Sequence, residues 1–446
     1  MTILNTATAA SAPAVSADQR LNRLLLRKLM PLLIVVYVMS FLDRTNIALA
    51  KASMGIDLGL SAAAYGLGAG LFFLTYALAE VPSNLIMQRV GARFWITRIM
   101  ITWGLLSAGM AFVQGETSFY IMRLLLGVAE AGLFPGVMLY LTYWFDREQR
   151  ARATGYFLLG VCLANILSGP LGGALLELDG VLGWHGWQWL FVIEGLPAVA
   201  LAYVVWKKLP DGPSSAPWLS AADAQDIQRR LDAEKAGAPQ QSRLAQMFRD
   251  KQIWLAIAVY FVHQITIYTV IFFLPGIIGT YAALSPLQIG LLTSVPWIAA
   301  AIGAATLPRL ATSPGRCRAL LFFGLLTMAA GLLLASLSNS FIGLLGFSLT
   351  ALMLFVVQSI IFVFPSSRLT GNALAAGLAF VTTCGLLGGF VGPTVMGLIE
   401  QTTGNTRNGL WLIAAMLVVA AMLSTRLRQG QESVDQPQQS AAQARA

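Results

Sequence analysis

Four charged side chains stand where charge is costly. Asp43 and Arg44 lie about two thirds of the way along an apolar run at 29–51, and Arg123 and Glu130 lie inside another at 119–143. A charge at such depth costs several kcal/mol if it faces hydrocarbon, so each must turn toward a protein interior or a wet cavity. Arg123 and Glu130 are seven residues apart, which puts them on one helical face at about 10 Å separation. That face is expected to meet the first run. Counting about 1.5 Å per residue from opposite ends places Asp43, Arg44 and Glu130 at one depth beyond the midplane, with Arg123 further out. Two arginines and two carboxylates can form a network that only pins helices together. They can also exchange partners with a solute: an anion takes an arginine from its carboxylate, which, desolvated and without its positive neighbour, takes up a proton. On this second reading Arg44 is the fork for an anion, and Asp43 and Glu130 carry protons.

The elements that must position these residues are apolar helices. The chain has 446 residues, 57% hydrophobic and 11% charged, where soluble domains have about a quarter charged. Apolar stretches of roughly 20 residues suit helices crossing a core about 30 Å thick, and the ten-residue alternation of a membrane barrel is absent. Spans are predicted near 29–51, 62–88, 95–113, 119–143, 152–176 and 187–206, then near 252–281, 286–307, 318–337, 341–364, 371–399 and 408–426. This is an all-α membrane protein of twelve spans, six plus six. The corresponding division is a tail at 1–28, a first half at 29–206, a central loop at 207–251, a second half at 252–427 and a tail at 428–446.

Basic residues orient the chain. Arg20, Arg23, Arg27 and Lys28 precede span one; Arg89, Arg93 and Arg98 follow span two; Arg147, Arg150 and Arg152 follow span four; Lys207 and Lys208 follow span six; and Arg309, Arg316 and Arg318 follow span eight. The opposite loops offer little beyond Lys51 and Arg407. The asymmetry places both termini and the central loop in the cytoplasm of a multi-pass protein of the cell (inner) membrane. The first twenty residues lack the pattern of a cleavable signal, so they read as a cytosolic tail. In the central loop, Ser220 three residues before Asp223 resembles a capping box, and Ile227 and Leu231 share a face, which predicts a short helix along the cytosolic side.

The same reading excludes several classes. The formal charge of +9 lies beside the spans, which fits orientation rather than nucleic-acid binding. Cys162, Cys317 and Cys384 are scattered without metal spacing. No cofactor loop, metal cluster or nucleophile with a base is evident, so neither an enzyme nor a metal protein is expected. In span seven, Tyr260, Gln264 and Tyr268 form a polar stripe at four-residue spacing, with His263 about 100° away. Gln358 is a lone polar residue in span ten, suited to solute contact or to an interhelical hydrogen bond. Pro135 and Pro275 are hinge candidates.

Phe-Leu-Asp-Arg-Thr-Asn-Ile at 41–47 resembles the first-span motif of the anion:cation symporter family within the major facilitator superfamily. Glu-Val-Pro-Ser-Asn at 80–84, Val-Gly-Ala-Arg at 90–93, Ala-Glu-Ala-Gly-Leu-Phe-Pro-Gly at 129–136, the segment 186–197 and Gly-Gly-Phe-Val-Gly-Pro at 388–393 are similar to it as well. The resemblance spans about 25–426 and implies two six-helix bundles rocking about a central site, with bacterial members importing small carboxylates on the proton gradient. It matches Asp43 and Glu130 to protonatable carboxylates, Arg44 to the substrate arginine, Arg123 to a coupled arginine and Tyr76 to a cavity tyrosine. Phe41 replaces a frequent tyrosine, and Thr382 and Leu386 stand where asparagines are frequent. Reduced hydrogen bonding favours an aromatic or short hydroxy acid over a sugar acid. Asn84 and Gln88 replace the Gly and Asp usual in the superfamily's loop signature. The expected partners are a small carboxylate, protons and lipid, with Arg44, Tyr76, Arg123, Gln264, Tyr268, Gln358 and Thr382 contacting the solute in a monomer. Exchange or export of the same solute class is the alternative.

Overall fold

The computed structural model describes residues 17–236, 244–280, 283–337, 339–369 and 371–430. Its helices are α1 (Ala17–Leu58), α2 (Ala62–Val90), α3 (Ala92–Gly109), α4 (Glu116–Glu130), α5 (Leu133–Leu141), α6 (Arg147–Leu176), α7 (Gly186–Lys208), α8 (Ala221–Ala236), α9 (Leu244–Arg249), α10 (Lys251–Gly279), α11 (Pro286–Thr306), α12 (Pro314–Ala335), α13 (Ser340–Ile361), α14 (Val363–Ser366), α15 (Gly371–Thr403) and α16 (Arg407–Ser424). Among the described residues twelve segments are long and apolar enough to cross a membrane, the fourth being α4 with α5 and the tenth α13 with α14. The basic residues that orient the sequence gather on the face where α1 begins and α16 ends, here called the terminal face.

Two spans differ from expectation. The first helix starts at Ala17, well before the apolar run, because Leu21, Leu25 and Leu29 recur every four residues and are buried while Arg20, Arg23, Arg27 and Lys28 stay exposed. That amphipathic start packs on α8, whose Ile227 and Leu231 are buried in the same cluster. Arg230 of α8 pairs with Asp18 and with Asp226, and Arg150 of α6 pairs with Glu234 at 2.8 Å. Ser220 caps α8 as expected, its Oγ accepting from the Asp223 amide at 3.1 Å, but the reciprocal bond differs from a capping box: the Asp223 carboxylate accepts from the Ser220 hydroxyl at 2.6 Å. The tail at 1–16 lies outside the described residues, so only 17–28 of the expected tail is seen, and it is helical.

Span four is broken. Ala131 leaves the helix with ψ 134°, Gly132 takes φ +88°, and α5 restarts at Leu133 with Pro135 in its first turn. A Cβ on Gly132 would lie 2.2 Å from Ser83 Oγ, so both the backbone angle and the approach of α2 demand glycine. Ser83 Oγ donates to the freed Ala131 carbonyl at 2.7 Å, satisfying a group that the break would leave bare in an apolar setting.

The halves are α1–α7 and α10–α16. They meet along three seams: α2 on α15, α6 on α11 and α1 on α10. Hydrogen bonds that cross between halves cluster on the face opposite the termini. There Lys51 Nζ reaches Glu400 at 2.5 Å, the Ala63 amide donates to Gln401 at 3.0 Å, and Ser285 Oγ donates to Glu177 at 3.1 Å. Glycines close the seams backbone to backbone. A Cβ on Gly290 would lie 2.0 Å from the Gly169 carbonyl oxygen, and one on Gly66 2.4 Å from the Pro393 carbonyl oxygen. The halves are thus sealed over the opposite face.

Gly290→Val should pry that seam open, since overpacking a tight contact costs about 1–3 kcal/mol. In a chain whose native cysteines are replaced by serine, Ser294→Cys alone should resist a membrane-impermeant maleimide. The same cysteine combined with Gly290→Val should label, and equal labelling of both would show that the seam is not closed there.

Candidate functional site

The four charges do not form one network. Arg44 turns from α1 toward the end of α4, where its Nη2 donates to Glu130 Oε1 in a close ion pair. Ser40, one turn earlier on α1, donates to the same oxygen at 2.6 Å. Glu130 is the last residue of α4, so the break that follows presents its carboxylate to α1. The Arg44 guanidinium carbon is enclosed by rings, 4.8 Å from the Phe41 centroid, 5.2 Å from Phe72 and 5.3 Å from Tyr76. Its Nε is buried without a partner. Tyr76, one of the residues expected at the solute, thus lies against Arg44, and Phe41 adds an aromatic wall where a tyrosine would have added a hydroxyl.

Asp43 faces elsewhere. Consecutive residues on a helix point about 100° apart, and Asp43 turns into the first half, where it accepts from Trp103 Nε1 and from Ser107 Oγ at 2.8 Å, both on α3. Arg123, 2% exposed, also departs from expectation. Its Nε donates to the Gly68 carbonyl at 3.1 Å and its Nη2 to the Ala69 carbonyl at 3.3 Å, so it grips α2 rather than a carboxylate. The face carrying Arg123 meets α2, and only Glu130 reaches α1. Arg123 remains tied to Arg44 through a shared ring, with Phe72 lying 5.0 Å from its guanidinium carbon.

The second half contributes from α10. The Tyr268 phenol acts directly on the Arg44 guanidinium, and its ring lies 4.1 Å from Phe73 of α2. Gln264 donates to the Tyr260 hydroxyl, so the stripe predicted on this helix exists and is partly self-satisfied. His263 is fully buried, with Nε2 2.8 Å from the Leu354 carbonyl, as befits a helix-packing residue. Thr382 does not offer its hydroxyl to the site; it donates to the Leu378 carbonyl of its own helix at 2.8 Å. The neighbouring Thr383 crosses between halves instead, donating to Glu80 at 3.4 Å. Gln358 is half-buried with its carbonyl oxygen unpartnered.

Two further buried carboxylates stand outside the predicted four charges. Glu80 on α2 faces the second half, and Glu194 on α7 lies inside the first. Both sit within predicted spans, so the argument from burial cost that singles out Glu130 applies equally to them.

This arrangement, with a buried arginine held by a carboxylate between two six-helix halves, matches a family model. Residues 33–393 and 257–445 match that of the Major Facilitator Superfamily. The chain belongs to this superfamily. It is 42% identical over 410 residues to an Agrobacterium vitis protein named "Putative tartrate transporter", covering 91% of this chain and 94% of that one. It is 40% identical to the Acinetobacter baumannii quinolone resistance transporter, over 89% of this chain and 92% of the relative. It is 38% identical to the Escherichia coli inner membrane transport protein RhmT, over 90% and 94%. Among solved structures, the D-xylose-proton symporter superposes with a TM-score of 0.72 at 15% identity, over 90% of this chain and 98% of that one. A bacterial homolog of the human lysosomal transporter Spinster, inward-facing and occupied, gives 0.71 at 18% identity over 91% and 98%. The protein is a membrane transporter and not an enzyme.

The break in span four sets where Glu130 points, so Gly132→Val should lower thermal stability by about 1–3 kcal/mol, the cost of a side chain in a left-handed position. Gly155→Ala, at a helical glycine with open space around it, should be neutral or slightly stabilising. Thermal unfolding of both purified variants checks this, and equal melting points would contradict it.

Proposed function

We propose that this transporter imports a small carboxylate by proton symport through alternating access, with Arg44 as the anion's fork and Glu130 as a proton carrier. The observation that carries the reading is the Arg44–Glu130 pair itself. A buried pair repays its desolvation poorly unless its geometry is fully satisfied, and here Arg44 Nε is left bare. An incoming carboxylate can satisfy Nε and displace Glu130. The freed Glu130 keeps the Ser40 hydroxyl as its remaining partner and takes up a proton, so anion and proton load together. Release in the reverse order restores the pair.

Rings around the guanidinium narrow the solute. Phe41, Phe72 and Tyr76 offer apolar faces and one hydroxyl, while Thr382 spends its own on its helix. A polyol acid would lose hydrogen bonds to water without replacement. An aromatic acid or a short hydroxy acid fits better, and the latter agrees with the relative named for tartrate. Tyr268 and Gln264 close on the solute from the second half, with Gln358 as a further candidate. The charge on the terminal face supports an inner-membrane protein with cytoplasmic termini. On that orientation the seal over the opposite face leaves exchange with the cytosol. Every proposed solute contact comes from one chain, consistent with a working monomer. Asp43 acts from within the first half rather than at the anion.

Export or exchange is the second reading, favoured by the relative named for quinolone resistance. A pH gradient separates the two. Reconstituted vesicles with an alkaline interior should accumulate a carboxylate selected by thermal-shift screening, and uptake that ignores the gradient but follows internal solute would favour exchange.

Arg44→Ala should abolish the ligand-induced rise in melting temperature, which reports affinity for the folded state. Glu130→Gln should retain that rise and lose gradient-driven accumulation. A full thermal shift in Arg44→Ala would remove Arg44 from this role.

A further inference from the structure

Two buried polar groups in the first half take no part in the Arg44–Glu130 pair. Glu194 of α7 is 6% exposed, and neither of its carboxyl oxygens has a hydrogen-bond partner. Asn46 of α1 is 1% exposed, and neither end of its amide has one. Asn46 lies near enough to Glu194 to act on it, and the charged group acting on Glu194 is Asp43. The proximity follows from glycines. Gly104 and Gly195 let α3 and α7 touch along their backbones, since a Cβ on Gly195 would sit 2.7 Å from the Ala108 nitrogen and 2.9 Å from the Gly104 carbonyl oxygen. Gly195, the residue after Glu194, thereby lies against Ser107, which donates to Asp43.

The surrounding groups decide its chemical state. On α1, Arg44 is committed to Glu130. On α3, Trp103 and Ser107 donate to Asp43, while Arg98 lies over the Trp95 ring at 4.0 Å with Thr102 beside it. On α4, Glu130 is held by Arg44 and Ser40, and Arg123 by the carbonyls of α2. On α6, which packs on both α1 and α7, the buried titratable group is Cys162. No cation among the described residues is therefore directed at Glu194. Asp43 accepts from two donors. A carboxylate at Glu194, with neither donor nor cation, would bear the full cost of a buried uncompensated charge. A metal ion does not resolve this, because the Trp103 N–H and Ser107 O–H already point hydrogens at Asp43's two oxygens.

We propose that Glu194, together with Asn46, forms a proton-binding site inside the first half, separate from the Arg44–Glu130 pair, which empties and refills during the transport cycle. With the proton bound, the Glu194 O–H donates to the Asn46 side-chain oxygen. When the proton passes to water, the Asn46 amide turns and donates an N–H to the new carboxylate. The amide serves both states because it carries donor and acceptor together. Asn46 is one turn from Asp43 on α1, the helix that also holds Arg44, so a shift of α1 as the anion binds moves the acceptor of the Glu194 proton.

The cycling part rests on proton-coupled transport; the presence of the proton does not. Infrared spectra of purified wild type at neutral pH should show a protonated-carboxyl C=O band that moves in D2O and that Glu194→Gln loses. Glu194→Met, another uncharged replacement of similar length, serves if the first variant is not monodisperse, and in the unsubstituted chain the band should shift on carboxyl-13C labelling of glutamate. A band unchanged by substitution, or unmoved by that label, overturns the assignment. Loss of the wild-type band on adding sodium chloride would make this a cation site and overturns it equally. In vesicles, Glu194→Gln should keep gradient-free exchange of the carboxylate found by thermal-shift screening and lose pH-driven accumulation. Accumulation equal to wild type, with the band gone, would overturn the cycling role while leaving the bound proton in place.

Discussion

The cost of holding charge away from water governs this molecule. Arg44 cannot face lipid, and its nearest counter-charge is a carboxylate delivered by a different helix. Delivering it requires span four to stop at Glu130, and stopping there requires a glycine that can adopt a left-handed backbone next to α2. The same constraint explains Arg123, whose charge is spread over two carbonyls and an aromatic face rather than paired with an acid. Arg44, Asp43 and Arg123 are thereby held by three different kinds of partner: a carboxylate, neutral donors and backbone carbonyls. On the proposed function, this difference lets Arg44 exchange partners while Arg123 stays fixed.

Much of this is legible in the residues. Composition and the basic loops imply twelve spans with both ends on one face, and burial cost alone picks out Asp43, Arg44, Arg123 and Glu130. What spacing cannot supply is direction. Asp43 and Arg44 are adjacent in sequence, yet one serves α3 and the other α4, because the rotation of α1 is set by neighbours on all sides. Arg123 and Glu130 share an ideal helical face, yet contact different helices, since the face is wide enough to span two neighbours and the chain breaks after Glu130.

Other differences have local causes. Thr382 is expected to face the solute, but a threonine inside a helix has its own carbonyl four residues back as a ready acceptor. The adjacent Thr383 makes the crossing contact instead. The start of α1 runs past its apolar stretch because leucines every fourth residue find a helix on the terminal face to pack on, a pattern visible in the sequence once α8 is taken as its partner. Glu80 and Glu194 are equally visible as charges in spans, but their segments stand out first as motifs, which hides the cost of burying them.

The glycine seams carry a consequence for affinity. Gly169 against Gly290 and Gly66 against Pro393 meet backbone to backbone, so parting them forfeits dispersion contacts together with the few polar contacts that flank them, among them Lys51 to Glu400 and Ser294 to the Ile166 carbonyl. If the transporter alternates access as proposed, these few atoms, far from the solute, weigh on the balance between closed and open forms. Because apparent affinity scales with the fraction of molecules in the form that binds, one methyl group on the outer seam can retune how tightly the transporter holds its cargo from a given side. Substrate preference and apparent strength of binding thus reside in different parts of the chain, and each is free to drift without the other.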